Sequence, residues 1–314
     1  MNTQTPPQTP AIGEKGFLKY VFGTLILVAF AVFVEYFIGW VQLLTPWKDL
    51  DTLPLVLAVS LVFITYSLRA LRVYDFFHRE MRGRFTLCLR LSLQHNMLNN
   101  LLPMRTGELS FPMLMSRYFS IPAVRSVPAL LWFRLLDLHT LLVLALLVAG
   151  KDFLPLWAVT VSTLLWLTLP WLGFRLYRPW LKAIGHHQGK VWSILRMILE
   201  SLPQDHEKFW RSWMWTVLNW ALKLAVFAWV LMLFSETDFA AAWLGATAGD
   251  LTSVLPIHGI AGAGTFEAGV VAGLVPFGIS ATDALTAAVN LHLFLLSCTV
   301  ISGILSRALP KNLR

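Results

Sequence analysis

Ionisable residues interrupt apolar stretches of this 314-residue sequence at two places. Arg105 and Glu108 lie in the segment LPMRTGE, and His258 and Glu267 lie in the segment LPIHGIAGAGTFE. A charge at the centre of a lipid bilayer costs at least about 2.5 kcal/mol on insertion scales, so such residues are candidates for a functional role. They could bind a charged group, or exchange their own charge for that of a substrate.

Arg134 and Asp137 are a second pair of charges in an apolar stretch. Residues three apart on a helix share one face, so this spacing predicts an ion pair. Two interpretations are open. The pair could store charge at a resting binding site, or it could only neutralise two buried charges.

Glycines in both interrupted segments indicate breaks in a helix. A half-helix that begins near Gly107 and Glu108, or near Gly264 and Glu267, presents unpaired backbone N–H groups with partial positive charge. Such ends can receive an anionic headgroup or a phosphate, and Arg105 would add a bidentate donor. The alternative is that the two glutamates only cap the half-helices. Further candidates to line the same site are Gly262, Asn290 and, with less support, His95, Asn99, Lys223, Asp250 and His292.

The composition places these residues in a membrane protein. Hydrophobic residues make up 57% of the chain, charged residues 13%, and the mean hydropathy is +0.65. Soluble domains carry about 25% charged residues. Many of the 14 tryptophans lie near the ends of apolar blocks, as in interfacial belts. Cys88 and Cys298 lie in apolar stretches and predict packing rather than a disulfide or a metal site. We expect no metal and no cofactor.

The sequence predicts an all-α polytopic membrane protein with about six spans and two broken, re-entrant helix pairs. In each broken region a proline and glycines divide the run into pieces too short to cross a bilayer. The predicted spans are residues 17–44, 53–73, 129–150, 153–174, 210–234 and 283–306, and the re-entrant regions are about 85–118 and 239–276.

The domain organisation follows from these spans. A Pro/Gln/Thr-rich N-terminus is expected to be disordered and cytoplasmic, and a single transmembrane domain follows it. One connection between two spans is predicted to form an amphipathic helix on the cytoplasmic surface of the membrane. The expected bounds are 1–14 for the N-terminus, 15–307 for the transmembrane domain, about 175–209 for the amphipathic connection and 308–314 for a cytoplasmic tail.

The basic residues predict the orientation. If both broken regions are re-entrant, most of the 25 Lys and Arg residues share one side, and Lys48 and Lys151 fall on the other. The positive-inside rule makes the rich side cytoplasmic, with both termini in the cytoplasm. The net charge of +8 then reflects topology and attraction to anionic lipids rather than nucleic-acid binding.

The same topology relates the two broken regions by inversion in the membrane plane. Their sequences are also weakly similar, since LPMR precedes Gly and Glu in one region and LPIH precedes Gly and Glu in the other. Inverted repeats that carry broken helices are how many secondary transporters build a binding site at the midplane.

Several segments resemble a known family. NLLPMRTGE (residues 100–108), a Ser/Pro turn at 120–122 and RLLD (134–137) are similar to the membrane domain of lysylphosphatidylglycerol synthases and their stand-alone, flippase-like relatives. LPIHG (255–259), GTFE (264–267) and GISA (278–281) resemble the family's second signature. The resemblance covers about residues 15–307. The family's motif residues fall on Pro103, Arg105, Gly107, Glu108, Arg134, Asp137, Pro256, Gly262, Gly264 and Glu267.

The sequence departs from the family pattern at two places that bear on which substrate can be inferred from relatives. The glycines after Pro256 are less closely spaced than is usual, and Asn290 and His292 stand in the last span, where relatives often have an arginine. The chain ends at Arg314 without the synthase's cytosolic aminoacyl-transferase domain, so we expect no synthesis of lysyl-lipid.

The resemblance implies lipid handling without an ATPase. The expected function is movement of an anionic phospholipid or a polyprenyl-linked lipid between leaflets, with the headgroup bound at the midplane and no enzymatic activity. One alternative is a membrane-embedded transferase that uses a lipid carrier. Another is a non-transporting partner of a lipid-modifying enzyme, and a homo-oligomer is also open.

Overall fold

The structure is a computed structural model that describes residues 14–184, 189–201, 203, 205–252 and 260–310. This part of the chain is helical throughout and contains no strand. Its α-helices are α1 (Glu14–Phe37), α2 (Trp40–Leu44), α3 (Thr52–Phe76), α4 (His78–Met81), α5 (Phe85–Leu101), α6 (Ser110–Phe119), α7 (Ala123–Ala149), α8 (Leu156–Ile184), α9 (Lys190–Ser201), α10 (His206–Phe234), α11 (Phe239–Thr252), α12 (Thr265–Leu274) and α13 (Ala281–Ala308).

Six stretches of the described chain are long and apolar enough to cross a membrane. Five lie in α3, α7, α8, α10 and α13 and correspond to predicted spans. The sixth, Ile260–Phe277, contains α12 and falls within a region predicted to be broken. The prediction of an all-α polytopic membrane protein is confirmed.

The first predicted span, residues 17–44, is not one straight helix. Helix α1 ends at Phe37, and the chain turns by 87° into the short helix α2. The turn includes Gly39, whose φ of +83° is readily adopted only by glycine. Within the predicted amphipathic connection at about 175–209, α8 continues to Ile184 and a separate helix, α9, precedes α10.

The first broken region forms a helical hairpin. A 3₁₀ segment, Pro103–Leu109, joins α5 to α6 and is called here the first break. The two helices are antiparallel: His95 Nδ1 lies 2.8 Å from Ser110 Oγ near the break, and the Tyr118 hydroxyl donates to Gln94 at 2.9 Å further away. At the open end, Arg84 donates to the carbonyl oxygen of Tyr118.

The second broken region forms a hairpin of α11 and α12, whose described connecting residues include the 3₁₀ segment Ile260–Gly262. This segment is called here the second break. Glycines bring the two helices into backbone contact. A Cβ atom on Gly273 would lie 2.7 Å from the Cα of Gly245, and one on Gly269 would lie 2.6 Å from the carbonyl oxygen of Ala248. Helix α11 has 14 residues, or about 21 Å, which is too short to cross a bilayer alone.

The two hairpins open toward opposite ends of the bundle. The first opens at the end where Arg211 of α10 pairs with Asp75 of α3. The second opens at the other end, where the rings of Phe153 and Phe277 are 5.4 Å apart. Between the two ends, the two breaks contact each other, and both contact α1. The re-entrant placement of the hairpins in a membrane, as inverted repeats, stays a prediction.

The apolar core is divided in the same way. One cluster of buried side chains joins the second hairpin to α10 and α13, through residues such as Leu224, Val270 and Leu291. Another joins the first hairpin to α3 and α7, through residues such as Phe111 and Phe133. The two clusters are not separate sets of spans, because α13 also packs against α5 and α7 also packs against α11.

Candidate functional site

A cavity of about 640 Å³ lies where the two breaks approach each other. Side chains from α3, α5, α7, α10, α11, α12 and α13 line it, together with residues of both breaks. Sequence-predicted residues that the structure brings to this cavity are Asn99, Glu108, Arg134, Asp137, Lys223, Asp250, Gly262 and His292.

Asp137 is at the centre of a buried ionic cluster. Its Oδ1 lies 2.6 Å from Arg72 Nη1 and accepts a 2.8 Å hydrogen bond from the indole N–H of Trp220. Its Oδ2 lies 3.4 Å from Arg134, so the predicted pair at spacing three is confirmed. Arg72 and Asp137 are each only 4% exposed, and Arg72 also donates to Thr216 at 2.9 Å. The cluster therefore joins α3, α7 and α10.

Arg134 also connects α7 to the first break. Its Nη2 lies 2.8 Å from Glu108 Oε1, which is a shorter contact than the one it makes with Asp137. Glu108 is thus held across the cavity wall by an arginine.

Lys223 makes the corresponding link to the second hairpin. Its ammonium group lies 2.8 Å from Asp250 of α11 and 4.4 Å from the ring centroid of Trp220. The cation is therefore held by one carboxylate and by an aromatic face.

Arg69 has no carboxylate partner within the described part of the chain. It lines the cavity and donates one hydrogen bond, at 2.9 Å, to the side-chain oxygen of Asn96. Asp137 and Asp250 act on its charge only at longer range, and its other guanidinium N–H groups make no hydrogen bond to a described residue.

Glu267 and His292 form a buried pair at the second break. Glu267 Oε1 lies 2.6 Å from His292 Nδ1, and Glu267 Oε2 accepts from the backbone N–H of Gly264 at 2.8 Å. His292 Nε2 lies 2.9 Å from the carbonyl oxygen of Ala261. The glutamate thus caps α12, as one interpretation of the sequence proposed, and it also links α12 to α13.

Comparison with protein families connects this arrangement to a known group. A family model described as the lysylphosphatidylglycerol synthase TM region matches residues 20–303. The chain belongs to this family. Comparison with curated proteins and with solved structures gives no match.

Within this member of the lysylphosphatidylglycerol synthase TM family, five described site residues lie outside the cavity lining: Glu267, whose contacts are given above, and Asn290, His95, Gly107 and Gly264. Asn290 is fully buried and bonded to the Trp47 indole, the Leu43 carbonyl and the Thr286 carbonyl. Its side chain anchors the segment after α1 to α13. The others are His95, held by Ser110, Gly107, packed on the backbone of Asn99, and Gly264, packed on Phe30 of α1.

Two predicted residues fall where the structure describes no side chain. His258 lies outside the described residues, and of Arg105 only the backbone is described. Pro256, which belongs to the family's motif residues, also lies outside the described residues. Their predicted roles stay predictions. Within the described residues, no group of three or more His, Cys, Asp and Glu side chains is arranged to hold a metal ion.

Sequence analysis of this family member missed Arg69 and Arg72. Both lie near one end of a predicted span and were counted with the cations of the cytoplasmic side, whereas the structure directs Arg69 into the cavity and buries Arg72. A signal was present, because Thr65, Arg69 and Arg72 recur at spacings of four and three and mark one polar face of α3.

Proposed function

We propose that this chain moves a lipid with an anionic headgroup between the leaflets of a bacterial inner membrane, without enzymatic chemistry. The observation that carries the proposal is that the cavity is amphipathic. One wall is charged and hydrogen-bonding, and another is apolar and partly open to the outside of the bundle.

The apolar wall belongs to α7. Its cavity-facing residues recur at helical spacing and, apart from Arg134 and Asp137, are aliphatic: Val127, Leu130, Leu131, Leu135, Leu138 and Leu141. Val127 is 37% exposed and Leu138 is 38% exposed, so this face contacts both the cavity and the surroundings. Such a wall suits acyl or prenyl chains that stay in the bilayer while the headgroup enters the cavity.

The charged wall favours an anion. Within the described residues, the cations of the ionic network are Arg69, Arg72, Arg134 and Lys223, and its carboxylates are Glu108, Asp137 and Asp250. Each carboxylate has a cationic partner, which leaves Arg69 in excess. A phosphate group would offer its guanidinium two oxygens for a charge-assisted, bidentate contact.

The two hairpins supply a means of access from either side. They open toward opposite ends of the bundle, and their breaks meet at the cavity. Movement of one break would open the cavity toward one leaflet, and movement of the other would open it toward the second, as in alternating access. In this proposal the end rich in arginine, and both termini, face the cytoplasm.

A leaflet-translocation assay on the reconstituted full-length chain tests the proposal. Fluorescent phosphatidylglycerol and phosphatidylcholine are followed in vesicles that carry wild-type protein, Arg69→Gln or Arg125→Gln. The last variant is a matched control, because Arg125 is exposed and pairs with Glu80 away from the cavity.

We expect wild type to accelerate translocation of the anionic lipid. Arg69→Gln should lower that rate by about tenfold or more, because a hydrogen bond to a charged group contributes about 1.5–3 kcal/mol, and Arg125→Gln should leave it unchanged. No acceleration by wild-type protein would refute lipid movement. Equal rates for the two variants would refute the role of Arg69.

A further inference from the structure

The hydrogen bonds around His292 require a proton between Glu267 and His292. The carbonyl oxygen of Ala261 only accepts, so the 2.9 Å contact requires that His292 Nε2 carries a hydrogen. The 2.6 Å contact between His292 Nδ1 and Glu267 Oε1 then needs a second hydrogen, on one atom or the other. The pair therefore holds one shared proton and is neutral overall, either as carboxylic acid and imidazole or as carboxylate and imidazolium.

The shared proton holds the second break in position. Without it, a carboxylate oxygen and a nitrogen lone pair would face each other at hydrogen-bond distance, which is repulsive, and at least one of the two contacts of His292 would separate. The segment that these contacts hold is unusual backbone: Ala261 has a φ of +58°, and Gly262 and Gly264 have φ values of +81° and +85°. A non-glycine residue in this region is held there by its surroundings.

The proton can exchange through the cavity. His292 is 7% exposed and belongs to the cavity lining, whereas Glu267 lies behind it with 2% exposure. Gly264, whose backbone N–H donates to Glu267, packs against the apolar side chains of Ile26 and Phe30 of α1. Within the described residues, the titratable groups that share the cavity with His292 are Tyr66 and Arg69 of α3, Glu108 of the first break, Arg134 and Asp137 of α7, Lys223 of α10 and Asp250 of α11.

We propose that Glu267 and His292 are a proton-binding site whose occupancy fixes the second break against α13. With the proton bound, the break is held and the cavity is closed on that side. Release of the proton to water through the cavity frees the break, and uptake of a proton restores the contact. If lipid moves as described above, this site couples its movement to a proton gradient, and that part of the inference rests on the proposed function.

Thiol labelling tests the proton site without lipid transport. Thr265→Cys places a thiol in the cavity wall at the start of α12, where the native hydroxyl donates to the carbonyl of Gly262 at 3.0 Å. The protein without this change measures the background from Cys88 and Cys298, which are buried. The second variant adds Glu267→Gln, whose amide can donate to His292 and accept from Gly264 but does not titrate.

Labelling rates of the two proteins are compared between about pH 5 and about pH 8, where a histidine commonly titrates. The ratio of the Thr265→Cys rate to that of the Glu267→Gln double variant removes the intrinsic pH dependence of the thiol. We expect this ratio to rise with pH, approaching about tenfold per pH unit for one bound proton. A constant ratio overturns the proposal. Should the double variant not fold, Thr265→Cys with His292→Gln is compared in the same way.

Vesicles with an imposed pH gradient test the coupling. Glu35→Gln is the matched control, because Glu35 also accepts from a backbone N–H, that of Trp40 at 3.0 Å, and pairs with no histidine among the described residues. The gradient should drive lipid movement by wild type and Glu35→Gln and should have no effect on Glu267→Gln. A pH-dependent labelling ratio without lipid movement refutes the proposed function and supports the proton site. Lipid movement with a constant labelling ratio supports the proposed function and refutes the proton site.

Discussion

Single residues in this chain are bound by partners from other helices. Asp137 receives Arg72 from α3 and Trp220 from α10, besides Arg134 on its own helix. With 4% exposure, its carboxylate has little contact with water, and its cationic partners replace that solvation. Removing one member of such a network leaves the others charged and buried.

Asp137→Asn is therefore expected to destabilise the protein strongly. Breaking a buried ion pair from one side costs about 3–5 kcal/mol, because the remaining charge is uncompensated. Glu80→Gln is the control, since it breaks the more exposed pair with Arg125 and should cost at most about 1 kcal/mol. Thermal unfolding in detergent measures both. Similar losses for the two variants would contradict the importance of the Asp137 network.

At the scale of elements, the two hairpins depend on close backbone contact. Gly245, Gly249, Gly269 and Gly273 allow α11 and α12 to approach within the distance that a Cβ atom would occupy. Close approach through small residues is a common means of helix association in membranes, where there is no hydrophobic drive between helices. The same holds at the first break, where a Cβ on Gly107 would lie 2.3 Å from the carbonyl oxygen of Leu98.

Gly273→Ala and Gly173→Ala are the same substitution with opposite expected effects. At Gly273 the new methyl group meets the backbone of Gly245 and Leu244, and overpacking of this kind costs about 1–3 kcal/mol. At Gly173, in α8, nothing lies within 4 Å, and alanine should stabilise the helix by up to about 1 kcal/mol. Thermal unfolding of the two variants distinguishes them. Stabilisation by Gly273→Ala would show that the hairpin is not tightly packed.

At the scale of the whole molecule, charge is distributed unequally between the two ends of the bundle. The end that carries Arg211, Arg125 and Arg84 is rich in cations, whereas the opposite end carries Lys48 and Lys151. An asymmetry of this kind orients a membrane protein during insertion. Orientation and the predicted inverted arrangement of the hairpins are linked, because each hairpin opens at a different end.

Single cysteines test this arrangement in intact cells. Arg82→Cys lies just before the first hairpin, Glu236→Cys just before the second and Lys151→Cys in the α7–α8 connection, and all three positions are exposed. A membrane-impermeant maleimide should label the cysteines at 236 and 151 in intact cells, and the one at 82 only after permeabilisation. Labelling of the cysteines at 82 and 236 from the same side would contradict an inverted arrangement.

The sequence by itself determined the features that follow from composition and local spacing. The apolar blocks gave the membrane class and most spans, prolines and glycines gave the positions of both breaks, and the spacing of Arg134 and Asp137 gave their contact. These features are local, because helix geometry alone decides which residues three or four apart share a face. The same rule did not reveal the 87° turn after α1, where a single glycine was read as part of a span.

Only the tertiary structure decided which helices face one another at the site. Arg72 meets Asp137 across 65 positions of the chain, Lys223 meets Asp250 across 27, and Glu267 meets His292 across 25. Such contacts depend on the rotation and axial position of each helix in the bundle, which packing of all the helices sets together. For that reason Asn290, a polar residue two positions from His292, serves as an anchor, while Arg69, which looked like a cation of the membrane surface, lines the cavity.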